Sequence, residues 1–547
     1  RMSAADGSSF STYVRRLRAL TADGADRADV VRALAARLAH DAGVEPHDPH
    51  GAFASAADAV AADELLPPPA LRTPWLLGQV HEALLDPRSR RRAGAHYTPP
   101  DVARGLVAFA RDGHDVRCPR VCDPAVGGGA FLLATAESMA RDGTDPRDVV
   151  RHACFGTDVD PVAVDDARAA LALWCGEWPA ALDDHLVVAD ALLSSDAPAQ
   201  GEHDLVVGNP PFQSQLGADT ARSRAVAESL RARFGDAVVG YVDTAALFLL
   251  AATDLVGPGG RVALVQPHST LVARDAGRVR AELLARARLV GVWFSAERVF
   301  DAGVRVWAPV FERVATAARA SSTSVAATVA RRRGPAFAAA PDATPPAPGD
   351  ATWAPLVADL TGVPQVQLRG DGRVGDVATA TAGFRDQFYG LVGAVREHDP
   401  ARDDGALPRL VTSGLLDPLA LAWGDLPVRF AGTRWRRPVV EVDRLHDDIA
   451  RWVRAHLVPK LVVATQTRVL EVAVDERGDV VPSTPVIAVH APADRLWHLA
   501  AALAAPPVSA WALRAALGAA LSSDAVKLSA RQVLDLPLPA DHAAWDD

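Results

Sequence analysis

The sequence predicts an α/β fold, an open-sheet core of the Rossmann-like kind, preceded by a helical region and followed by an α+β region. Three observations carry this. Short apolar runs at Val121–Asp123, Phe155–Asp158, His185–Asp190 and Asp204–Val207 alternate with helical patterns of ten or more residues, an order that builds parallel strands with helices packed between them. A glycine run, Gly127-Gly128-Gly129, directly follows the first strand. Each run ends on an acid or leads into an amide side chain, and open α/β sheets bind ligands just beyond the carboxyl ends of their strands.

Taken in order, residues 1–90 place Ala, Leu and Val at helical spacing among Arg and Asp, as in Tyr13–Leu20 and Val30–Leu38. Several short helices are expected there, serving as a packing or partner-binding cap without chemistry of their own. Next comes Arg90-Arg91-Arg92-Ala93-Gly94-Ala95-His96-Tyr97-Thr98-Pro99-Pro100, ahead of a helical pattern over Asp101–Ala110. Thr98 with Pro99 makes a helix entry whose N–H groups can meet a carboxylate, or a plain N-cap.

The glycine run lets the backbone approach a ligand and take φ > 0. Asp123, at the strand end before it, suits a cationic ligand better than a pyrophosphate, although a generic nucleotide-binding turn has the same outline. Asp158 ends the next strand, where a carboxylate can accept two hydrogen bonds from ribose hydroxyls; Asp160 beside Pro161 reads equally as a helix cap. The third strand ends in Asp190 and Ala191. Asp204–Val207 reads as a buried parallel strand, closed by Gly208 and then by Pro210 and Pro211, which cannot continue a ladder. Beyond it, Asn209 and the Pro210 carbonyl can each accept a hydrogen bond from a planar amino group while Phe212 stacks on the ring that bears it. An ordinary turn is the rival explanation of those four residues.

Asn209-Pro210-Pro211-Phe212 resembles the catalytic motif of amino-methyltransferases, above all the gamma-class DNA adenine-N6 methyltransferases. In that class the segment around Thr98 precedes the glycine loop, as it does here. The resemblance implies a class I S-adenosylmethionine-dependent methyltransferase core. It implies S-adenosylmethionine held by Thr98, Asp123, Ala125, Gly127, Asp158, Asp190, Ala191 and Asn209, with Asp158 on the ribose and Asp190 on the adenine amino group. Catalysis would fall to Asn209, Pro210, Pro211 and Phe212, with no metal, on an adenine flipped out of double-stranded DNA. The expected boundaries are 91–314 for this domain, 315–360 for an Ala-, Ser- and Pro-rich linker, and 361–547 for a target-recognition domain. Thr379–Tyr389, Arg409–Gly414 and Lys527–Pro539 resemble segments of that last domain in type II enzymes.

Composition narrows the alternatives. With 49% apolar residues, 547 residues suffice for several cores, and no apolar run nears the ~20 residues of a membrane span. No charged-then-apolar segment opens the chain, and Cys118, Cys122, Cys154 and Cys175 lack paired CxxC spacing. Buried free thiols and a cytoplasmic location are expected. The net charge of −10 confines any nucleic-acid contact to a local patch. Lys460 and Lys527 are the only lysines, and neither sits in a phosphate-cradling GK[ST] loop, which excludes a P-loop ATPase.

Between Arg429 and Arg468, nine basic residues face four acidic ones. Arg434, Arg436, Arg437, Lys460 and Arg468 are the candidate phosphate contacts, with Trp435 and Trp452 interleaved. A second arginine group, Arg222, Arg224, Arg231 and Arg233, lies on a helix after the catalytic motif and reads equally as a solvated face. Trp307 and Phe300 suit core packing better than a base pocket. A separate restriction nuclease or defence-system subunits remain open as partners. Methylation of RNA or of a protein glutamine, and a non-catalytic DNA-specificity scaffold, are the competing functions.

Overall fold

The computed structural model describes residues 4–22, 24–48, 51–60, 65–86, 97–194, 198–213, 222–300, 304–315, 328–347, 349–383, 385–401, 403, 407–519, 525 and 527–540. Residues 90–96, ahead of Thr98, and 316–327, in the expected linker, lie outside the described residues. The chain divides into two compact units, Arg1–Leu356 and Val357–Asp547.

Unit 1 is built on a ten-stranded sheet. Its strands are β1 (Val121–Asp123), β2 (Cys154–Asp158), β3 (Leu186–Val188), β4 (His203–Gly208), β5 (Val256–Leu264), β6 (Gln266–Pro267), β7 (Ala287–Phe294), β8 (Val306–Arg313), β9 (Val329–Arg333) and β10 (Ala338–Ala343). They run β10-β9-β7-β8-β5-β4-β1-β2-β3, with β6 beside β8. From β5 to β3 every neighbouring pair is parallel, and β8 then enters antiparallel between β5 and β7. The chain winds outward through β1, β2 and β3, then returns to the other side of β1 with β4. That reversal opens a crevice at the carboxyl ends of β1 and β4.

Local chemistry sets the helices between the strands. Asp160 accepts from Val162 N at 2.9 Å and Pro161 takes the first helical position of Pro161–Cys175, so the cap expected there is formed. Leu205, Val206 and Val207 of β4 are fully buried, as a central parallel strand covered on both faces requires. β3 stops at Val188, so Asp190 stands in the following turn and not at the strand's last residue.

The N-terminal helices pack on the sheet layers, the packing role expected of them. Leu17, Val30, Leu34 and Leu77 share one buried core with Leu133, Leu171 and Val207 of the sheet layers, and Arg32 Nε bonds Asp165 Oδ2 at 2.8 Å. The expected linker over 315–360 is corrected. β9 pairs parallel with β7, and β10 returns antiparallel beside β9. Trp353, 1% exposed, meets Trp307 edge-on. The strand went unrecognised because Val329-Ala330-Arg331-Arg332-Arg333 looks solvated, whereas Arg331 is buried and donates to the Pro341 and Leu356 carbonyls. Trp307 and Phe300 are core residues, as expected. Of the thiols, Cys122 and Cys154 are buried but Cys118 is exposed and Cys175 half-buried.

Unit 2 carries two four-stranded sheets. One orders Thr379–Ala382, Ile487–His490, Lys460–Val463 and Val472–Asp475; the other orders Val395–Glu397, Pro438–Val440, Arg409–Val411 and Val480–Pro482. The first sheet overturns the expectation that Lys460 contacts DNA. Its side chain is fully buried, with Nζ 2.5 Å from the equally buried Asp475 Oδ2, and Asp475 also accepts from Gly478 N and Val480 N. An ammonium so enclosed cannot reach a phosphate.

Two stability predictions follow from burial. Lys460→Ala strands a buried carboxylate, which costs about 3–5 kcal/mol and is expected as a lowered urea midpoint. On the acid side, burial draws His203 and His268 from 6.5 down to about 4. Both stay neutral in the fold while the unfolded chain takes up protons, so stability is lost as pH falls from 6.5 towards about 4; urea titrations at stepped pH read the loss.

Candidate active site

Four strand exits converge on one cavity of about 210 Å³. Asp123 ends β1 and is 1% exposed, with Oδ1 accepting from Ala125 N at 3.0 Å. Burial pushes its carboxyl up to about 8, the Asp158 charge adds to that, and the Ala125 N–H opposes both. Asp123 fits there because β4 ends in glycine, for a Cβ at Gly208 would lie 2.4 Å from Asp123 Oδ1.

Gly127 and Gly129 take φ of 50° and 80° in the turn after β1, as the glycine run predicts. Gly128 serves another purpose. A Cβ on it would sit 2.2 Å from the Cα of Gly78, inside the helix Leu76–Leu84, so the N-terminal region is seated directly on the loop.

Asp158 ends β2 with both oxygens engaged, Oδ2 by Gly127 N at 2.9 Å and Oδ1 by Asp160 N at 3.0 Å. Burial raises its carboxyl, and these two N–H groups hold it down. Asp190 Oδ1 accepts from Leu192 N at 2.8 Å, fixing the turn after β3. At the end of β4, Asn209 Nδ2 donates to Thr98 Oγ1 at 3.2 Å. This bond ties the amide to the segment before the helix Pro100–Arg111.

All eight cofactor candidates, Thr98, Asp123, Ala125, Gly127, Asp158, Asp190, Ala191 and Asn209, line this one cavity. Of the catalytic candidates, Asn209 and Pro211 line it, whereas Pro210 is buried and Phe212 half-buried outside the lining. The sequence reading missed Gly78, His81, Glu82, Leu85 and Phe248, which complete the wall. Gly78 left one trace, a glycine in the interior of a helical run, which marks a close approach. His81 and Glu82 left none.

In unit 2, Arg434, Arg436, Arg437 and Arg468 are exposed, as a phosphate patch requires. Val428–Phe430 and Thr433–Trp435 form a hairpin turned by Ala431 and Gly432, both at positive φ. Arg429 and Arg434 face each other across it. Glu397 accepts from the backbone N–H groups of Arg436 and Arg437 at 3.0 and 2.6 Å, and Arg436 Nε donates to the Gly424 carbonyl at 3.3 Å. Of the other arginine group, Arg224 pairs with Glu228 and Arg233 donates to the Ala191 carbonyl; these have structural work.

Residues 73–319 match the family model described as N-6 DNA Methylase. Over this stretch, somewhat under half of the chain, the protein is similar to the N-6 DNA methylases. The match runs from the Gly78 helix through the whole cavity to β8, so the matched stretch includes part of what reads as an N-terminal cap. The type I restriction enzyme MjaIX methylase subunit of Methanocaldococcus jannaschii is 24% identical over 224 residues, 40% of this chain. The chain matches 37% of that relative's length. The type IIL restriction-modification enzyme MmeI, solved with DNA, shares the fold at a TM-score of 0.56 and 14% identity, covering 94% of this chain and 80% of its own. The DrdV–DNA complex does so at 0.52 and 12% identity, covering 90% and 60%.

Gly128→Ala drives a methyl group into the Gly78 backbone, and overpacking of this kind costs about 1–3 kcal/mol. A matching fall in thermal midpoint is expected.

Proposed function

We propose that unit 1 holds a methylase domain that transfers a methyl group from S-adenosylmethionine to the N6 amino group of adenine at specific sites in double-stranded DNA, within a restriction-modification system. The observation that carries this is the placement of Asn209, oriented by Thr98, in the same cavity as Asp123, Asp158 and Asp190.

The residues fit the cofactor. Asp123 is a fully buried carboxyl whose hydrogen bond among the described residues is the Ala125 N–H, and burial has raised it to about 8. A cationic ammonium placed there restores the charged form. Each Asp158 oxygen keeps a second lone pair for a ribose hydroxyl. Asp190, held by two backbone N–H groups, offers a carboxylate to an adenine amino group. When bound, S-adenosylmethionine supplies a methyl group on an electron-poor sulfonium.

This chain's contribution is to present the nucleophile. Flipping adenine out of the duplex costs a few kcal/mol of stacking, which contact with Phe212 offsets. The N6 lone pair is delocalised into the ring and attacks poorly. Asn209 and the Pro210 carbonyl accept the two N6 hydrogens, favouring the tetrahedral nitrogen whose lone pair points at the methyl group. The order Thr98, glycine loop, Asn209 supports the gamma class, and the likeness to a type I methylase subunit supports assembly with other restriction-modification subunits.

Asn209→Ala is expected to lower methyl transfer by on the order of 10²–10³-fold or more, a loss in turnover far larger than the accompanying weakening of S-adenosylmethionine titration. Turnover of labelled cofactor on DNA, RNA and protein identifies the substrate, and labelling of RNA or protein alone refutes the proposal. Replacing Arg434, Arg436 and Arg437 with Ala is expected to reduce the salt slope of DNA binding by up to about 0.9 per lost phosphate contact. An unchanged slope removes them from the interface.

A further inference from the structure

The helix Leu76–Leu84 comes from a region with no chemical signature, yet Gly78, His81 and Glu82 form one wall of the cavity. His81 is 8% exposed and reaches across to the acidic side. Its Nδ1 lies 2.8 Å from Asp166 Oδ2 and its Nε2 3.5 Å from Asp160 Oδ2. Asp166 is fully buried inside the helix Pro161–Cys175, and Asp160 caps that helix. The Asp160 N–H holds Asp158 Oδ1. A continuous path therefore runs from His81 through Asp160 to the carboxylate at the end of β2.

We propose that His81 is a positioning residue for the cofactor: clamped as an imidazolium between Asp160 and Asp166, it fixes the Asp158–Asp160 turn and keeps the Asp158 carboxylate ionised to accept the ribose hydroxyls. This rests on the S-adenosylmethionine reading above.

Three features support it. Two carboxylates converge on one ring, and a buried Asp166 without a cation is strongly unfavourable. The groups facing the ring are Asp160, Asp166, Arg27 and, one step further, Asp158. Burial draws His81 down, but the Asp160 and Asp166 carboxylates beside the ring outweigh it and bring it to about 9, against Arg27, whose guanidinium stands 3.4 Å from Nε2. Burial likewise raises Asp158, and the His81 charge is among the influences that draw it back. Thirdly, the same helix grips the segment that orients Asn209, since Glu82 accepts from Tyr97 N at 2.6 Å and Gln79 donates to the Tyr97 hydroxyl at 3.2 Å.

The test is calorimetric titration of the full chain with S-adenosylmethionine and S-adenosylhomocysteine from about pH 7 to pH 10. Wild-type affinity is expected to fall as pH rises through about 9. His81→Gln, which keeps a polar side chain but loses the charge, is expected to bind roughly tenfold more weakly near neutral pH and to keep only the alkaline fall that the ligand's own amino group imposes. Its KM for the cofactor should rise far more than its kcat falls. A His81→Gln chain with wild-type affinity and the same alkaline limb overturns the proposal. Should that variant not fold, Asp166→Asn decides: an alkaline limb moved to lower pH supports the proposal, and an unmoved limb overturns it. Wild type that binds neither ligand at any pH sinks the methyltransferase reading itself, and this proposal with it.

Discussion

Asp123 occupies space that only a glycine at Gly208 leaves open, and the geometry of the cavity depends on that fit. The parallel register of β1 with β4, Val121 opposite Leu205 and Cys122 opposite Val206, brings the two strand ends side by side. A carboxyl group sealed at that junction, beside a second carboxyl on β2, is electrostatically incomplete. The protein accommodates this because burial raises the carboxyl's proton affinity, and the same incompleteness is what gives the pocket its appetite for a cation.

Much of this arrangement is legible in the sequence, for a physical reason. Strand ends in an open parallel sheet are marked twice, by the loss of apolar alternation and by residues that break a ladder. Asp123 before its glycines, Asp158 before Asp160-Pro161, and Gly208 before two prolines all carry both marks. The placement of Asn209 followed from that punctuation. What stayed hidden is packing between segments far apart in the chain. Gly128 meeting Gly78, and His81 meeting Asp160 and Asp166, span intervals that no local pattern encodes.

Two of the corrections share a cause. Arg331 and Lys460 are charged, and charged residues are seldom buried unless paired. Sequence reasoning assigned both to solvent, one within a linker and the other on a nucleic-acid surface. Arg331 is satisfied by backbone carbonyls and Lys460 by Asp475 with the Val458 carbonyl, partners that become visible only once the strands are aligned. Arg434, Arg436, Arg437 and Arg468 of the same region are exposed, in line with the simple expectation.

The hairpin that sets Arg429 against Arg434 has a consequence for the unliganded protein. Like charges directly opposed on two strands repel, so this ribbon holds an unrelieved electrostatic tension until counter-ions or a polyanion gather around it. Dissolved salt then acts in two opposing senses, easing the ribbon's self-repulsion while competing with any polyanion for the same guanidinium groups.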